Sequence, residues 1–345
     1  MSQVETEIRE QPEALARLLR DGRTQAEALA ARIRDRAPRY VVIAARGSSD
    51  NAARYAQYLF GAHNRLPVCL ATPSLFTAYA AGPSLVGALV IGVSQSGRSP
   101  DIVSVLEAGR REGSLTVAIT NEPASPLALA AEAVLPLLAG PERAVAATKT
   151  YTTSLGALAM LSAALESDAS RWAELDRVPA LARAAIELNA ALADKVARYR
   201  YAEHFVVVGR GFNYSTAFEV ALKMKETSYL VAEPYSPADL LHGPVAMIDR
   251  GFPALVVAPS GRVFADLVSF VDKLDERHAE LVAISDDATV LDRARVGLPL
   301  PSGVPEWLSP LVAVVPGQLC AVALARARGL DPDRPRGLSK VTETL

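Results

Sequence analysis

Short uninterrupted apolar runs alternate along the chain with longer stretches in which small, apolar and charged residues recur at helical spacing. The runs Tyr40 to Ala45, Leu89 to Val93, Leu115 to Thr120, Phe205 to Val208 and Leu281 to Ser285 predict strands. Nearly continuous apolar character, rather than alternation with polar residues, is what a strand covered on both faces requires. Between these runs, segments such as Ala52 to Phe60 and Tyr214 to Glu226 predict helices. Strands separated by helices pair in parallel and are covered on both faces, so the fold class is α/β.

The pattern occurs twice. Arg46-Gly47 after the first strand corresponds to Arg210-Gly211, an offset of 164 residues, and Gly97-Arg98 corresponds to Gly261-Arg262 at the same offset. Thr120 and Ser285, at the ends of two further similar strands, are 165 apart. The organisation expected is N-terminal helices over 1–38, one unit over 39–166, a helical connector over 167–198, a second unit over 199–330 and a tail over 331–345. The N-terminal helices are expected to pack on the first unit. A chain of 345 residues, half of them hydrophobic, can build two cores.

Charge narrows the partners. A net charge of -2 without a basic run at either end leaves no footprint for nucleic acid. No charge occurs between Arg65 and Arg98, but Pro67, Pro73, Gly82, Pro83 and Gly87 cut this stretch into pieces too short for a bilayer span of roughly 20 residues. Buried strands and short helices are expected there, and no membrane partner. The two cysteines, Cys69 and Cys320, sit in apolar contexts that suit buried thiols in a reducing compartment, with neither a disulfide nor a thiolate metal site implied. The charged opening segment lacks the apolar core of a signal peptide, so cytoplasmic localisation is the default.

Candidate chemistry begins at Ser94-Gln95-Ser96-Gly97-Arg98-Ser99, between a buried strand and a helix starting near Pro100. Backbone N–H groups and the positive end of a helix dipole converge at such a turn, and Ser94, Ser96 and Ser99 add hydroxyls, which suits an anion. The residues alone equally allow an ordinary connection with Ser99 as an N-cap. Neither a Walker loop nor a GxGxxG turn is present, which disfavours a nucleotide. The second copy reads Pro259-Ser260-Gly261-Arg262, so its anion site looks degenerate. That half instead carries Lys223 and Glu226, three residues apart on one helical face, either a functional pair or a surface ion pair of little weight. His242, before Gly243-Pro244, suits proton transfer or a plain loop role. His63, His204 and His278 read as structural or exposed. Lys340 lies in a tail that reads by composition as frayed.

Together, Arg46-Gly-Ser-Ser-Asp50, Ser94-Gln-Ser-Gly97, Ala146-Ala-Thr-Lys149, Lys223-Met-Lys-Glu226, His242-Gly-Pro244 and the Lys340 tail resemble the double-SIS (sugar isomerase) family over nearly the whole chain. The resemblance implies two tandem SIS domains, each a flavodoxin-like three-layer sandwich. Both the isomerase half of glutamine:fructose-6-phosphate amidotransferase and the SIS-type glucosamine-6-phosphate deaminases look similar. Arg46, Arg98, Ser99 and Ala147 depart from the synthase pattern and look more like the deaminases, and the chain starts at Met1 without a Cys-led glutaminase domain.

The resemblance implies substrate phosphate on Ser94, Gln95, Ser96 and Ser99, and sugar on Ser48, Ser49 and the backbone near Val145. It implies Glu226 as the base moving a proton between C1 and C2, His242 for ring opening, Lys340 for a Schiff base or enolamine stabilisation, and Lys223 for charge compensation. One half anchors the phosphate and the other supplies acid and base. No metal or other cofactor is implied, and a homodimer with His242 crossing the interface is. Plain phosphosugar isomerisation, sugar-amine deglycation and a non-catalytic sugar-phosphate sensor are the alternatives, the last with little room for a DNA-binding module in the first 38 residues.

Overall fold

The computed structural model describes residues 1–340; the end of the expected tail, 341–345, lies outside the described residues. The apolar runs form two all-parallel five-stranded sheets. In the first, β1 (Tyr40–Ala44), β2 (Val68–Leu70), β3 (Ala88–Ser94), β4 (Leu115–Thr120) and β5 (Ala133–Pro136) lie in the order β2-β1-β3-β4-β5. In the second, β6 (His204–Val208), β7 (Val231–Tyr235), β8 (Pro253–Val257), β9 (Glu280–Ser285) and β10 (Val296–Pro299) lie in the order β7-β6-β8-β9-β10. The two orders are the same, so the duplication read from spacing is a duplication of topology. Register agrees at the centre of each sheet, where Val42 faces Val90 and Val206 faces Ala254.

Burial explains the absence of alternation in the strands. All seven residues of β3 are buried, and Val90, Leu106, Ala118 and Leu127 belong to one core cluster of the first sheet. Val256, Phe270, Leu274 and Ala283 do the same for the second. Each large apolar side chain so buried contributes about 1.5 to 3 kcal/mol relative to exposure. The helices that follow β1 and β6 end alike: Arg65 and Tyr229, again 164 apart, both take the left-handed conformation at the helix C-cap.

Chain contacts define two units. One comprises Glu13–Glu142, Lys149–Arg177 and the segment from Ser339; the other comprises Met1–Pro12, Arg143–Thr148 and Val178–Leu338. The expectation that the N-terminal helices pack on the first unit therefore needs correcting for the first twelve residues. The Gln3 and Val4 N–H groups donate to the Asp333 carboxylate, Gln11 donates to Gln318, and Arg326 pairs with Glu5. These are polar anchors to the second sheet's unit that an amphipathic pattern does not reveal. The expected connector is helical, as Ala169–Asp176, Val178–Leu188 and Leu192–Val196, with the division between units at Val178.

Two burial expectations also change. Cys69 is exposed, because β2 is a short edge strand, whereas Cys320 is buried. The uncharged stretch after Arg65 contains the buried β3 but also exposes Tyr79 and Val86. The helical segment Glu306–Ala327 is long and apolar enough to cross a membrane by composition, yet its apolar stretch is buried within its unit. It packs on the helix Tyr214–Ser228 through Gly317, where a Cβ would overlap the Val220 side chain. Ser228 adds a hydroxyl bond to the Ala321 carbonyl at 3.1 Å.

Candidate functional site

In the first sheet the strand order reverses between β1 and β3, and the turns leaving these two strands carry the hydroxyl-rich residues. Open parallel sheets bind ligands at the carboxyl ends of strands at such a switch point. Ser48 and Ser49 open the helix Ser48–Asn64 after β1. Ser94 ends β3, and Gln95, Ser96 and Ser99 lie on the turn that follows, before the helix Pro100–Arg111. Arg46 holds the two turns together through its guanidinium, 2.7 Å from the carboxylate of fully buried Asp101.

The turn itself is built by a bond and a gap. The Ser94 hydroxyl accepts the Gly97 N–H at 3.0 Å, and Gly97 takes a φ of +62°. A Cβ there would overlap Ser125, which caps the helix Pro126–Ala130 by accepting the Ala128 N–H. Only glycine satisfies both the dihedral and the approach. Ser99 occupies the N-cap position but makes no side-chain cap bond, so the plain N-cap role is not what the structure displays. The N–H groups of Ser96 and Arg98 meet no protein acceptor among the described residues.

The second sheet shows what happens when the same donors are satisfied internally. The N–H of Ser260, the counterpart of Ser96, donates to Asp286 Oδ1 at 2.7 Å. The N–H of Arg262, the counterpart of Arg98, donates to Glu306 Oε1 at 2.9 Å. Two carboxylates thus occupy the positions that an anion's oxygens would take. Even the bridging ion pair is repeated, as Arg210 to Asp266 at 3.1 Å, although here the carboxylate is exposed rather than buried. Asp286 and Glu306 escaped the sequence reading because they lie 26 and 44 residues from their donors.

Lys340 is in the same unit as the first sheet. Its Nζ lies 2.8 Å from Oε2 of Glu142, whose side chain is fully buried. Glu142 Oε1 accepts the Thr150 N–H at 3.0 Å, and Oε2 accepts the Thr150 hydroxyl at 2.6 Å. The tail lysine is therefore paired rather than solvated.

Lys223, Glu226, His242 and Val145 belong to the other unit. Lys223 is not on the surface: its side chain is 2% exposed, between the Glu226 carboxylate at 2.5 Å and the wholly buried Glu219 carboxylate at 3.4 Å. The surface-pair reading fails because this helix is covered by Ser309–Ala327. Burial alone would lower the lysine's pKa, but attraction to Glu219 and then Glu226, with hydrogen bonds to both, raises it above the ordinary value. Glu219 was missed, although its position four residues before Lys223 was a usable signal. Glu226 remains 23% exposed and so is accessible.

His242 ends the short helix Pro237–Leu241 and is exposed; among the described residues it makes no hydrogen bond to Glu226 or Lys223. Val145 is half-buried in a segment whose Arg143 and Ala144 N–H groups are held by buried Glu7. Of the remaining histidines, His63 bonds Arg171 and Glu166, which is a structural role. No group of three or more His, Cys, Asp or Glu residues is placed to hold a metal among the described residues.

This fold and these turns define a class. The chain matches the SIS domain over residues 36–164 and again over 199–326, and it belongs to the SIS domain family. It is 34% identical over 305 residues to the isomerizing glutamine–fructose-6-phosphate aminotransferase of Pyrococcus horikoshii, covering 87% of this chain and 51% of that protein. The chain thus spans about half the length of the curated relatives it matches. Among solved structures, a protein of Silicibacter pomeroyi assigned provisionally as a phosphosugar isomerase is 37% identical with a TM-score of 0.88, covering 96% of this chain and 100% of that one. The C-terminal domain of the Francisella tularensis glucosamine-fructose-6-phosphate aminotransferase is 28% identical with a TM-score of 0.87, covering 97% and 98%. A glucosamine-6-phosphate deaminase of Thermotoga maritima, covering 99% and 100%, has a TM-score of 0.80 at 20% identity, a likeness of fold alone.

Proposed function

We propose that this chain is a phosphosugar aldose/ketose isomerase that couples isomerisation to deamination, converting glucosamine 6-phosphate and water to fructose 6-phosphate and ammonia. The observation that carries the anion half of this reading is the contrast between the two turns. Ser96 and Arg98 keep their N–H groups available beside an uncapped Ser99, whereas the equivalent donors of the second sheet are neutralised by Asp286 and Glu306. A dianionic phosphate suits donors of that kind.

In this reading the phosphate lies on Ser94, Gln95, Ser96 and Ser99, and the sugar is oriented by Ser48, Ser49 and the backbone near Val145. His242 relays a proton to the ring oxygen to open the pyranose. Glu226 then takes the proton from C2 and returns one to C1, giving a ketose imine at C2. Water adds to the imine and ammonia leaves, with no net redox change. Lys223 balances the charge beside Glu226, and its two carboxylate contacts support that assignment. Lys340 acts on the open-chain carbonyl or the enolamine.

A homodimer that brings His242 from the neighbouring subunit belongs to the same proposal; the exposure of His242 beside exposed Leu241 and Met247 supports it. Plain isomerisation without loss of an amine is the second reading, favoured by the 37% identity to the Silicibacter pomeroyi protein. Incubation with glucosamine 6-phosphate and with non-amino hexose phosphates, quantifying ammonia and ketose phosphate, separates the two. Release of ammonia in step with fructose 6-phosphate supports the first. Turnover confined to non-amino sugars overturns it in favour of the second.

A further inference from the structure

We infer that Glu142 is the positioning residue for Lys340, fixing the tail amine through a carboxylate that is itself locked to the start of a buried helix. The inference rests on the proposed role of Lys340 in the reaction. Glu142 is wholly buried, and a buried carboxylate is retained only when its charge and lone pairs are met. Thr150 meets them from one side, through its N–H to Oε1 and its hydroxyl to Oε2. Thr150 stands in the first turn of the helix Lys149–Glu166, where free N–H groups and the helix dipole favour an anion.

Because both oxygens are held, the carboxylate cannot rotate to follow a moving partner. The Lys340 ammonium adds a charged contact to Oε2 at 2.8 Å. Lys340 itself is 24% exposed, so the pairing restrains an amine that otherwise has solvent as its alternative. A long flexible lysine loses rotamer entropy on being fixed, and a pre-formed anchor offsets that loss before substrate arrives. Glu142 touches no reacting atom in this account and acts through Lys340.

The test combines amide hydrogen exchange without substrate and steady-state turnover of glucosamine 6-phosphate in the full chain. Glu142→Gln keeps the shape and the acceptor for the Thr150 N–H but removes the charge that holds the amine. Exchange over the described tail, residues 333–340, should rise at least several-fold in Glu142→Gln. kcat should fall about as far as in Lys340→Ala while KM changes little, and the double variant should be no worse than Lys340→Ala. Wild-type exchange and kcat in Glu142→Gln, or a double variant whose loss is the product of the two single losses, would overturn the inference. If Glu142→Gln does not fold, Lys340→Met leaves the Thr150 bonds intact and must show the same rise in exchange; unchanged exchange overturns the tether. Wild-type turnover by Lys340→Ala would overturn the catalytic reading of Lys340, while the substrate-free exchange decides the tether separately.

Discussion

Replacement of Lys223 by Met probes the most heavily committed charges in the second sheet's unit. Met preserves much of the lysine stem and removes its charge. The ammonium lies 3.4 Å from the Glu219 carboxylate, which is fully buried. At an effective dielectric of ~20 their attraction is about 5 kcal/mol before desolvation, and desolvation takes much of it back. Loss of one partner of such a pair costs about 3 to 5 kcal/mol, because the remaining charge stays buried. Lys223→Met should destabilise the unit by that amount. Glu219→Gln/Lys223→Met, with both buried charges gone, should recover at least about 2 kcal/mol of it.

The chain has two tryptophans, of which Trp172 lies in the first sheet's unit and Trp307, buried, in the second's. Urea unfolding followed by Trp307 fluorescence in a Trp172→Phe background therefore reports on the unit in question. The pH dependence has a definite sign. A lysine whose folded pKa is raised contributes fully below its unfolded value of ~10.4, and the contribution fades as pH rises through the folded value. The stability gap between wild type and Lys223→Met should thus stay level through neutral pH and narrow only above ~10.4. A single variant within about 0.5 kcal/mol of wild type, or a double variant less stable than the single, would refute the reasoning.

Three further outcomes follow from the turns. Ser99→Ala should weaken sugar-phosphate binding about tenfold in titration calorimetry while the melting midpoint stays put, since a genuine N-cap would instead cost ~1 kcal/mol of stability. Gly97→Ala forces a side chain against Ser125 at a φ of +62°, so thermal unfolding should show a loss of about 1 to 3 kcal/mol and phosphate binding should fail with it. Glu306→Ala strips the Arg262 N–H of its acceptor and should cost about 1 to 2 kcal/mol in urea unfolding, with sugar-phosphate affinity unchanged if only the first turn binds.

The fold was legible because strands covered on both faces leave an uninterrupted apolar signature, and because Gly47 and Gly211, Gly97 and Gly261 keep one spacing. The left-handed caps Arg65 and Tyr229 keep it too, but neither residue type advertises that conformation. Cys69 was misjudged because composition does not separate an edge strand from a central one. The anion turn was legible as a candidate, but its distinction from a plain connection depends on which N–H groups find carboxylates. Those partners come from distant residues such as Asp286 and Glu306. Glu142 and Glu7 were invisible for the same reason: an isolated acidic residue carries no sign of the backbone it will hold.

Solvent exchange at the reacting carbons tests the central claim most directly. Glucosamine 6-phosphate is incubated with the protein in D2O, and deuterium at C1 and C2 of substrate and product is followed by NMR beside the release of ammonia. Proton transfer by Glu226 predicts deuterium at C1 of the fructose 6-phosphate formed, with Glu226→Gln slowing product formation by about 100-fold or more. Wild-type rates from Glu226→Gln, or neither exchange nor product from the wild-type protein, would contradict it.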